Sequence, residues 1–395
     1  MRGGNFRRAI VFVLNREKLA KDLASIILKL FPDLDAQSDV AQQTWQQIAS
    51  DPLFSQRIEA AHSSFLLPRW RGNLSDTFKI KQNNTNYTVI AVDGSQIYPD
   101  RHIAGAGCFL INVGGVILSY GQNSCAEFFS EPKTLLPLDI VSDFDKMSFS
   151  RDLVDLKREE LELQRSFEES NKYKDQNVTC LFDGTIIFWN LEAKQPDVKK
   201  LFLNKYLYYL DLFYKQKIVC GGYISMPKSR ELVNLIRIGL CRLTVADCIG
   251  CHKEYDDFPC KLVDHLLDTH IAGSFLKPFH RTTIFYSTSK IIQSYPDHLQ
   301  PSFFYLDIGK EIVRIEVPRY VADDEELVQQ ICAVSIDQSQ KGMGYPVCLA
   351  EAHEQAVVKG PDRDFFYHLI QKVGIEKHKN VFMSQKSIKK RGLGV

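Results

Sequence analysis

Two short phrases in this 395-residue chain have the residue types and spacing to do chemistry. In VIAVDGS (89–95) and CLFDGT (180–185) an apolar run suited to a buried strand stops at an aspartate, Asp93 or Asp183, followed by glycine and a hydroxyl residue. Glycine lets the backbone turn sharply where the strand ends. A carboxylate at the rim of an apolar core is costly unless its charge is compensated, and a divalent cation compensates it well. Asp-Gly also marks ordinary strand-to-turn transitions, so either phrase alone would carry little. The pair describes an oxygen-rich site for Mn²⁺ or Mg²⁺.

A third carboxylate lies between them. In SFSRDLVDLKREELELQRSFEES (148–170), Leu153, Leu156, Glu160, Leu163 and Phe167 share one helical face by their three- and four-residue spacing. Glu160 therefore falls inside an apolar stripe, whereas Asp155, Glu159 and Glu162 are expected in solvent. An acid on a packed face needs a metal or a cation beside it. Glu162 takes its place if the helix is rotated, and a buried ion pair with Lys228 or Arg230 is the competing reading. Three carboxylates holding one or two divalent ions suit phosphodiester hydrolysis. Two ions about 3.5–4 Å apart would activate the attacking water and stabilise the leaving oxygen.

Five ordered blocks then resemble the NurA family of DNA end-processing nucleases. They are VIAVDGSQIYPDRH (89–102), CLFDGTIIFWNLE (180–192), GGYISMPKSRELVNLIR (221–237), FFYLDIGKEIVRIEVPRY (303–320) and GMGYPVCLAEAHEQA (342–356). The resemblance implies a ribonuclease H-like core and a Mn²⁺-dependent 5′–3′ exonuclease with single-strand endonuclease activity, acting in double-strand break repair and end resection. It implies DNA as substrate, a homodimer, and a HerA-type hexameric translocase as partner. Asp93 and Asp183 match the metal-binding aspartates, Glu160 the helical glutamate, and Tyr345 and His353 the C-terminal pair. A neutral His353 imidazole can ligate metal or protonate a leaving oxygen, and Tyr345 can donate to phosphate or stack on a base. Lys228, Ser229 and Arg230 sit between a strand and a helix start, where a cation, a hydroxyl and unpaired N–H groups suit a phosphate.

A separate set of candidate ligands is Cys241, Cys248, Cys251 and Cys260, with His252 beside them. The Cys-x₂-Cys at 248–251 has zinc spacing, and Cys260 with Cys241 or His252 would complete a structural Zn²⁺ site. Reduced, partly buried thiols in an insertion are the alternative.

The elements that must position these groups give an α/β class: a mixed β-sheet core flanked by helices. Helical periodicity runs through 1–70, with an amphipathic stretch over 40–58 broken near Pro52. Strands are expected at 88–92, 178–182, 218–226, 282–287, 302–307 and 312–317. Helices are expected at 149–170, 197–216, 324–339 and 347–357, with another after a Ser229 cap. Gly114-Gly115, between two apolar runs, reads as a hairpin turn and argues against a membrane span over 103–126. The division expected is a helical extension at 1–85, the catalytic domain at 86–360 with a cysteine-containing insertion at 241–280, and a mobile basic tail at 361–395.

Ten cysteines without a secretory leader point to reduced thiols in the cytoplasm. Lys+Arg 49 against Asp+Glu 48 excludes a polybasic nucleic-acid binder but not a local groove. Basic residues gather at both ends: Arg2, Arg7, Arg8, Arg16, Lys18 and Lys21, and Lys372 to Arg391. Two rival readings remain. An actin-like or acetate-kinase-like phosphotransferase shares the strand-acid-glycine opening but needs further glycine-rich loops, which are missing here. A non-catalytic DNA-binding subunit would not need every candidate ligand.

Overall fold

The computed structural model describes residues 14–30, 34–82, 86–99, 103–104, 107–122, 124–140, 150–251, 258–377 and 382–383. Three helices, α1 (Arg16–Leu30), α2 (Asp35–Ser50) and α3 (Phe54–Ala60), precede two short strands, β1 (Arg69–Trp70) and β2 (Thr77–Lys79). Then come β3 (Tyr87–Ile97), β4 (Ile103–Ala104), β5 (Phe109–Tyr120), β6 (Cys125–Leu135), α4 (Arg151–Lys172), β7 (Val178–Asp183), α5 (Pro196–Lys215), β8 (Val219–Ile224) and α6 (Glu231–Gly239). The chain continues through α7 (Asp268–Gly273), β9 (His280–Thr282), β10 (Phe285–Tyr286), β11 (Pro301–Asp307), β12 (Ile312–Pro318), α8 (Arg319–Ala322), α9 (Glu325–Lys341), α10 (Val347–Ala356), α11 (Gly360–Glu376) and β13 (Phe382–Met383).

One mixed sheet organises these elements, in the order β1-β10-β11-β12-β8-β7-β3-β5-β6. The centre is parallel: β3 pairs with β7, and β7 with β8, while β5, β6 and β12 run antiparallel to their neighbours. Side chains alternate between faces along a strand. On β3, Ile90 and Val92 enter the core beneath α4 and α5, with Leu156 and Phe202. Tyr87, Val89 and Ala91 enter the opposite core, with Val328 of α9 and Leu349 of α10. A third core packs Trp45 and Phe54 of the N-terminal helices against α6 and the inner residues Phe303 and Tyr305 of β11. The break at Pro52 separates α2 from α3, as the sequence implies.

Several expectations change. Gly114 and Gly115 do not form a turn; they lie inside the twelve-residue strand β5, and the β5–β6 connection falls at 121–124. The glycines serve close packing instead. A Cβ on Gly114 would lie 2.3 Å from the backbone of Gln355 and Ala356 in α10, and one on Gly115 would meet the Phe129 ring at 2.4 Å. No helix among the described residues is long and apolar enough to cross a membrane. The segment 1–85 is not wholly helical, since β1 pairs with β10 and β2 with β9. Ser229 does not cap α6, whose N-cap is Arg230; the Ser229 hydroxyl instead pairs with Tyr305 Oη at 2.9 Å. The expected mobile tail begins as the ordered helix α11, which holds Lys372 and places Phe366 and Tyr367 against Ile97. Lys379, Lys386, Lys389, Lys390 and Arg391, like Arg2, Arg7, Arg8 and His252, lie outside the described residues.

The end of α10 is stitched to the sheet across Gly114. Ala356 O accepts from Asn112 Nδ2 at 2.8 Å and from Ser95 Oγ at 2.5 Å. Gly114→Ala should therefore force α10 outward, costing about 1–3 kcal/mol as overpacking does. Thermal unfolding will show a lowered midpoint; an unchanged midpoint would mean that α10 adjusts freely.

Candidate metal and phosphate site

Asp93 and Asp183 become neighbours through strand register. Ala91 pairs with Leu181 in the parallel β3–β7 ladder, and each aspartate lies two residues beyond that pair. Parallel strands about 4.8 Å apart carry the two carboxyls side by side. Alternation also gives both side chains the parity of Ala91 and Leu181, the α9–α10 face. There His353 of α10 meets Asp93, its Nδ1 2.8 Å from Oδ2, while Asp93 Oδ1 accepts from the Gly94 N–H at 2.8 Å. Tyr345 donates its hydroxyl to Asp183. The Tyr345 ring stands edge-on to Tyr223 at 5.8 Å.

The α4 carboxyls that share a cavity with Asp93 and Asp183 are Glu159 and Glu162, not Glu160. Glu160 is buried between Lys157 Nζ at 2.7 Å and Lys205 Nζ at 2.9 Å, on the side of α4 that packs against α5. The single-stripe reading fails because α4 is sandwiched: one face meets α5 and another meets β3, so two faces are buried. Over β3 the absent side chain of Gly94 makes room. A Cβ there would lie 2.4 Å from Glu162 Oε1 and 2.7 Å from Arg158 Cγ. Arg158 Nη1 reaches Glu162 Oε1 at 2.5 Å and the Gly94 carbonyl at 3.2 Å. Asp155 and Glu159, expected in solvent, are also engaged. Asp155 accepts from Tyr98 Oη at 2.6 Å, and Glu159 from Tyr206 Oη and Asn190.

Asp93, Glu159, Glu162 and Asp183 line one cavity of about 440 Å³ together with a single guanidinium, Arg158. The crowding is visible in the titration of these groups. Burial pushes Glu162 up to about 8; the Arg158 charge opposes this, and Asp93 and Glu159 add to it. Burial also raises Asp183, with Asp93 adding and the Tyr345 hydrogen bond opposing. Among the described residues, no three His, Cys, Asp or Glu side chains are already closed on one point as metal ligands. The donor set nevertheless fits a hard divalent ion: three carboxyls gathered where they repel one another, with the His353 imidazole paired to one of them.

Sequence reasoning misses two supports. Glu316 is buried on β12 and accepts from Thr185 Oγ1 at 2.6 Å and Ile186 N at 3.0 Å, which fixes the turn after Asp183. Gly184 takes φ +116°, and its carbonyl would lie 2.1 Å from a Cβ at Gly222. Arg314 holds Glu316 at 2.9 Å and Glu231 at 2.9 Å, with its guanidinium over the Phe303 ring. The signal is present in IVRIEVP, where Arg314 and Glu316 share an inward face. Trp189 is the other omission. It lines the carboxylate cavity and also a second one of about 290 Å³ that contains Lys228 and Ser229; Thr185 is the other residue common to both. Arg230 turns away, 3.8 Å from Asp264.

Cys241, Cys248, Cys251 and Cys260 lie elsewhere, around a cavity of about 290 Å³. Burial raises the Cys248 thiol to about 11, and the charges of Cys241, Cys260 and Cys251 bear on it, with Arg237 opposing.

A carboxyl that holds its proton more tightly when folded than when unfolded contributes stability in full below its unfolded pKa, near 4.5 for glutamate. For Glu162 that contribution is lost as pH rises to about 8. In chelator, the unfolding midpoint should fall across this window, and Glu162→Gln should flatten the fall. Parallel curves for the two proteins would show that Glu162 titrates as an ordinary glutamate.

Comparison with known proteins follows the same outline. The crystal structure of the NurA nuclease from Sulfolobus solfataricus superimposes with a TM-score of 0.51 at 12% identity, covering 91% of this chain and 98% of that one. A second NurA crystal structure aligns at 13% identity and a TM-score of 0.39, covering 90% and 97%. A third, of NurA with manganese, aligns at 11% and 0.32, covering 90% and 98%. No curated protein sequence matches the chain. The family model of the NurA domain matches residues 87–358, from the first residue of β3 to just beyond α10. The chain belongs to the NurA family.

Proposed function

We propose that this protein, like its Sulfolobus relative a nuclease by family, cleaves DNA in a metal-dependent reaction, using Mn²⁺ or Mg²⁺ held by Asp93, Glu162 and Asp183. The observation that carries the reading is the convergence of these carboxyls on one cavity just beyond the last pair of the parallel β3–β7 ladder, where β7 ends at Asp183 while β3 runs on to Ile97 instead of stopping at Asp93. Strand order supports a ribonuclease H-like core: β3 is central, the β5–β6 hairpin lies on one side, and β7 and β8 run parallel to it on the other. A bound ion supplies an activated water and neutralises charge on the phosphate. The chain's own groups do the rest. Tyr345 orients Asp183 and His353 orients Asp93, as partners of metal ligands commonly do. The His353 ring is 60% exposed, placed to deliver a proton to the leaving oxygen. Arg158 supplies the countercharge for Glu162.

The substrate strand runs from the carboxylates over Trp189 to Lys228, because Trp189 and Thr185 join the two cavities. Trp189 stacks on a base and Lys228 meets a phosphate, a combination that grips single strands without reading sequence. The phosphotransferase reading fares worse, since the second Asp-Gly-Thr turn is already occupied by Glu316. Exonuclease polarity 5′–3′, a role in end resection and break repair, a cytoplasmic location and a HerA-type translocase partner complete the proposal.

One cleavage assay on labelled single- and double-stranded DNA, with Mn²⁺ or EDTA, tests the site. Asp93→Asn, Glu162→Gln and Asp183→Asn should each lose more than about 100-fold, beyond the 10–100-fold expected of orienting residues such as Tyr345. Glu160→Gln should cleave normally. Trp189→Ala should raise KM for single strands about 5- to 150-fold, the equivalent of about 1–3 kcal/mol of lost stacking, with kcat little changed. Cleavage in EDTA, or full activity in the Asp93 and Asp183 variants, would remove the proposal.

A homodimer is supported by α1, whose Leu19, Leu23, Ile26 and Ile27 remain exposed on one helix beside Arg16, Lys18 and Lys21. Light scattering should give twice the chain mass, and Leu23→Glu with Ile27→Glu should halve it. A wild-type monomer at micromolar concentration would refute this.

A further inference from the structure

We infer that Cys241, Cys248, Cys251 and Cys260 form a structural zinc site, separate from the nuclease centre, that holds the segment after α6 in place. The four thiols come from three places in the chain. Cys241 follows the end of α6, Cys248 and Cys251 flank a tight turn, and Cys260 opens a short 3₁₀ helix at Pro259–Val263. All four line the same cavity, and no disulfide joins any of them.

The other acids of this cavity have partners. Asp247 Oδ1 accepts from the N–H groups of Ile249 and Gly250 at 3.2 and 3.0 Å, and Asp264 lies 3.8 Å from Arg230 and 4.0 Å from Arg237. That leaves a sulfur-rich donor set, which selects zinc over the hard ions suited to the carboxylate site. Thiolates bind metal only as anions, so four of them around Zn²⁺ carry a net charge of −2. Two cations line the same cavity, Arg237 and Lys261. The Nε of Arg237 is buried with no hydrogen-bond partner among the described residues, an unmet donor beside an expected anionic cluster. Among the described residues no three of these thiols are arranged to hold a metal ion as they stand; it is the shared cavity and the Cys-x₂-Cys spacing that argue for one.

The segment itself calls for a staple. Between the end of α6 at Gly239 and the start of α7 at Asp268, the described residues hold 3₁₀ turns at Cys251 and at Pro259–Val263 and one isolated bridge between Asp247 and His62. Among the described residues, its backbone ties to the N-terminal region are His62 N–H to Ala246 O and Cys248 N–H to His62 O, both 2.8 Å. A metal clip that closes a long connection between two helices removes conformational entropy from the unfolded chain.

The test uses the full chain purified under reducing conditions without added metal. Elemental analysis should give one equivalent of zinc per chain, and thiol titration of the native protein should show four cysteines that become reactive when a strong chelator removes it. Exchange into Co²⁺ should produce the intense sulfur-to-cobalt absorption of a tetrahedral thiolate site. Cys248→Ser and Cys251→Ser should lose the zinc, while Cys125→Ser, at an exposed cysteine outside the cavity, should keep it. Asp93→Asn should also keep the zinc, so failure here and failure of the nuclease assignment are distinguishable. Zinc below one-tenth of an equivalent after incubation with Zn²⁺, or no thiolate absorption with Co²⁺, overturns the inference even where a serine variant fails to fold.

Discussion

The parallel register of β3 on β7 is the constraint on which the rest of this molecule depends. Pairing Ala91 with Leu181 delivers Asp93 and Asp183 to the same level and the same face of the sheet. A slip of one residue would turn one aspartate toward α4 and leave the other facing α10. The register is therefore held from both sides. Ile90, Val92 and Cys180 are locked into one core, and Val89, Ala91 and Leu181 into the other. The hydrophobic pattern of two short runs thus fixes the spacing of two charged groups that gain nothing from meeting.

That meeting has an electrostatic cost, and the surrounding structure is arranged to offset it. His353 faces Asp93, Tyr345 donates to Asp183, and Arg158 lies against Glu162. Each partner arrives on a helix or loop whose approach depends on small local allowances. Gly114 lets α10 settle on β5, Gly94 lets α4 bring Arg158 and Glu162 over β3, and Gly222 leaves space for the Gly184 carbonyl. None of these three glycines needs an unusual backbone angle. Their role is the absence of a side chain, which is why a turn reading of Gly114-Gly115 fails although the glycines do matter.

How much of this is legible in the sequence follows from the range of the interactions. The strands carrying Asp93 and Asp183 stand out because a buried strand writes its pattern in consecutive residues. His353 and Tyr345 are found through ordered blocks, since nothing local announces that α10 will reach β3. The choice between Glu160 and Glu162 depends on a long-range fact: α4 is covered on two sides, and only the tertiary arrangement says which acid meets lysines and which meets the sheet. The Ser229 cap fails similarly, because Tyr305 on β11 takes the hydroxyl. Glu316 and Trp189 escape a sequence reading because one contributes from a distant strand and the other joins two cavities that no single segment encloses.

The near-zero net charge takes on a different meaning at this scale. Forty-nine basic and forty-eight acidic residues suggest a surface indifferent to nucleic acid. The carboxylate cavity is anything but neutral: four carboxyls face one guanidinium. Unoffset, such a field repels a phosphate backbone, whatever the charge of the whole chain. A protein built this way gains affinity for an anionic strand only as cations enter the cavity. Binding and metal loading become one linked equilibrium, in which the proton held by Glu162, the Arg158 guanidinium and an incoming divalent ion compete for the same negative charge.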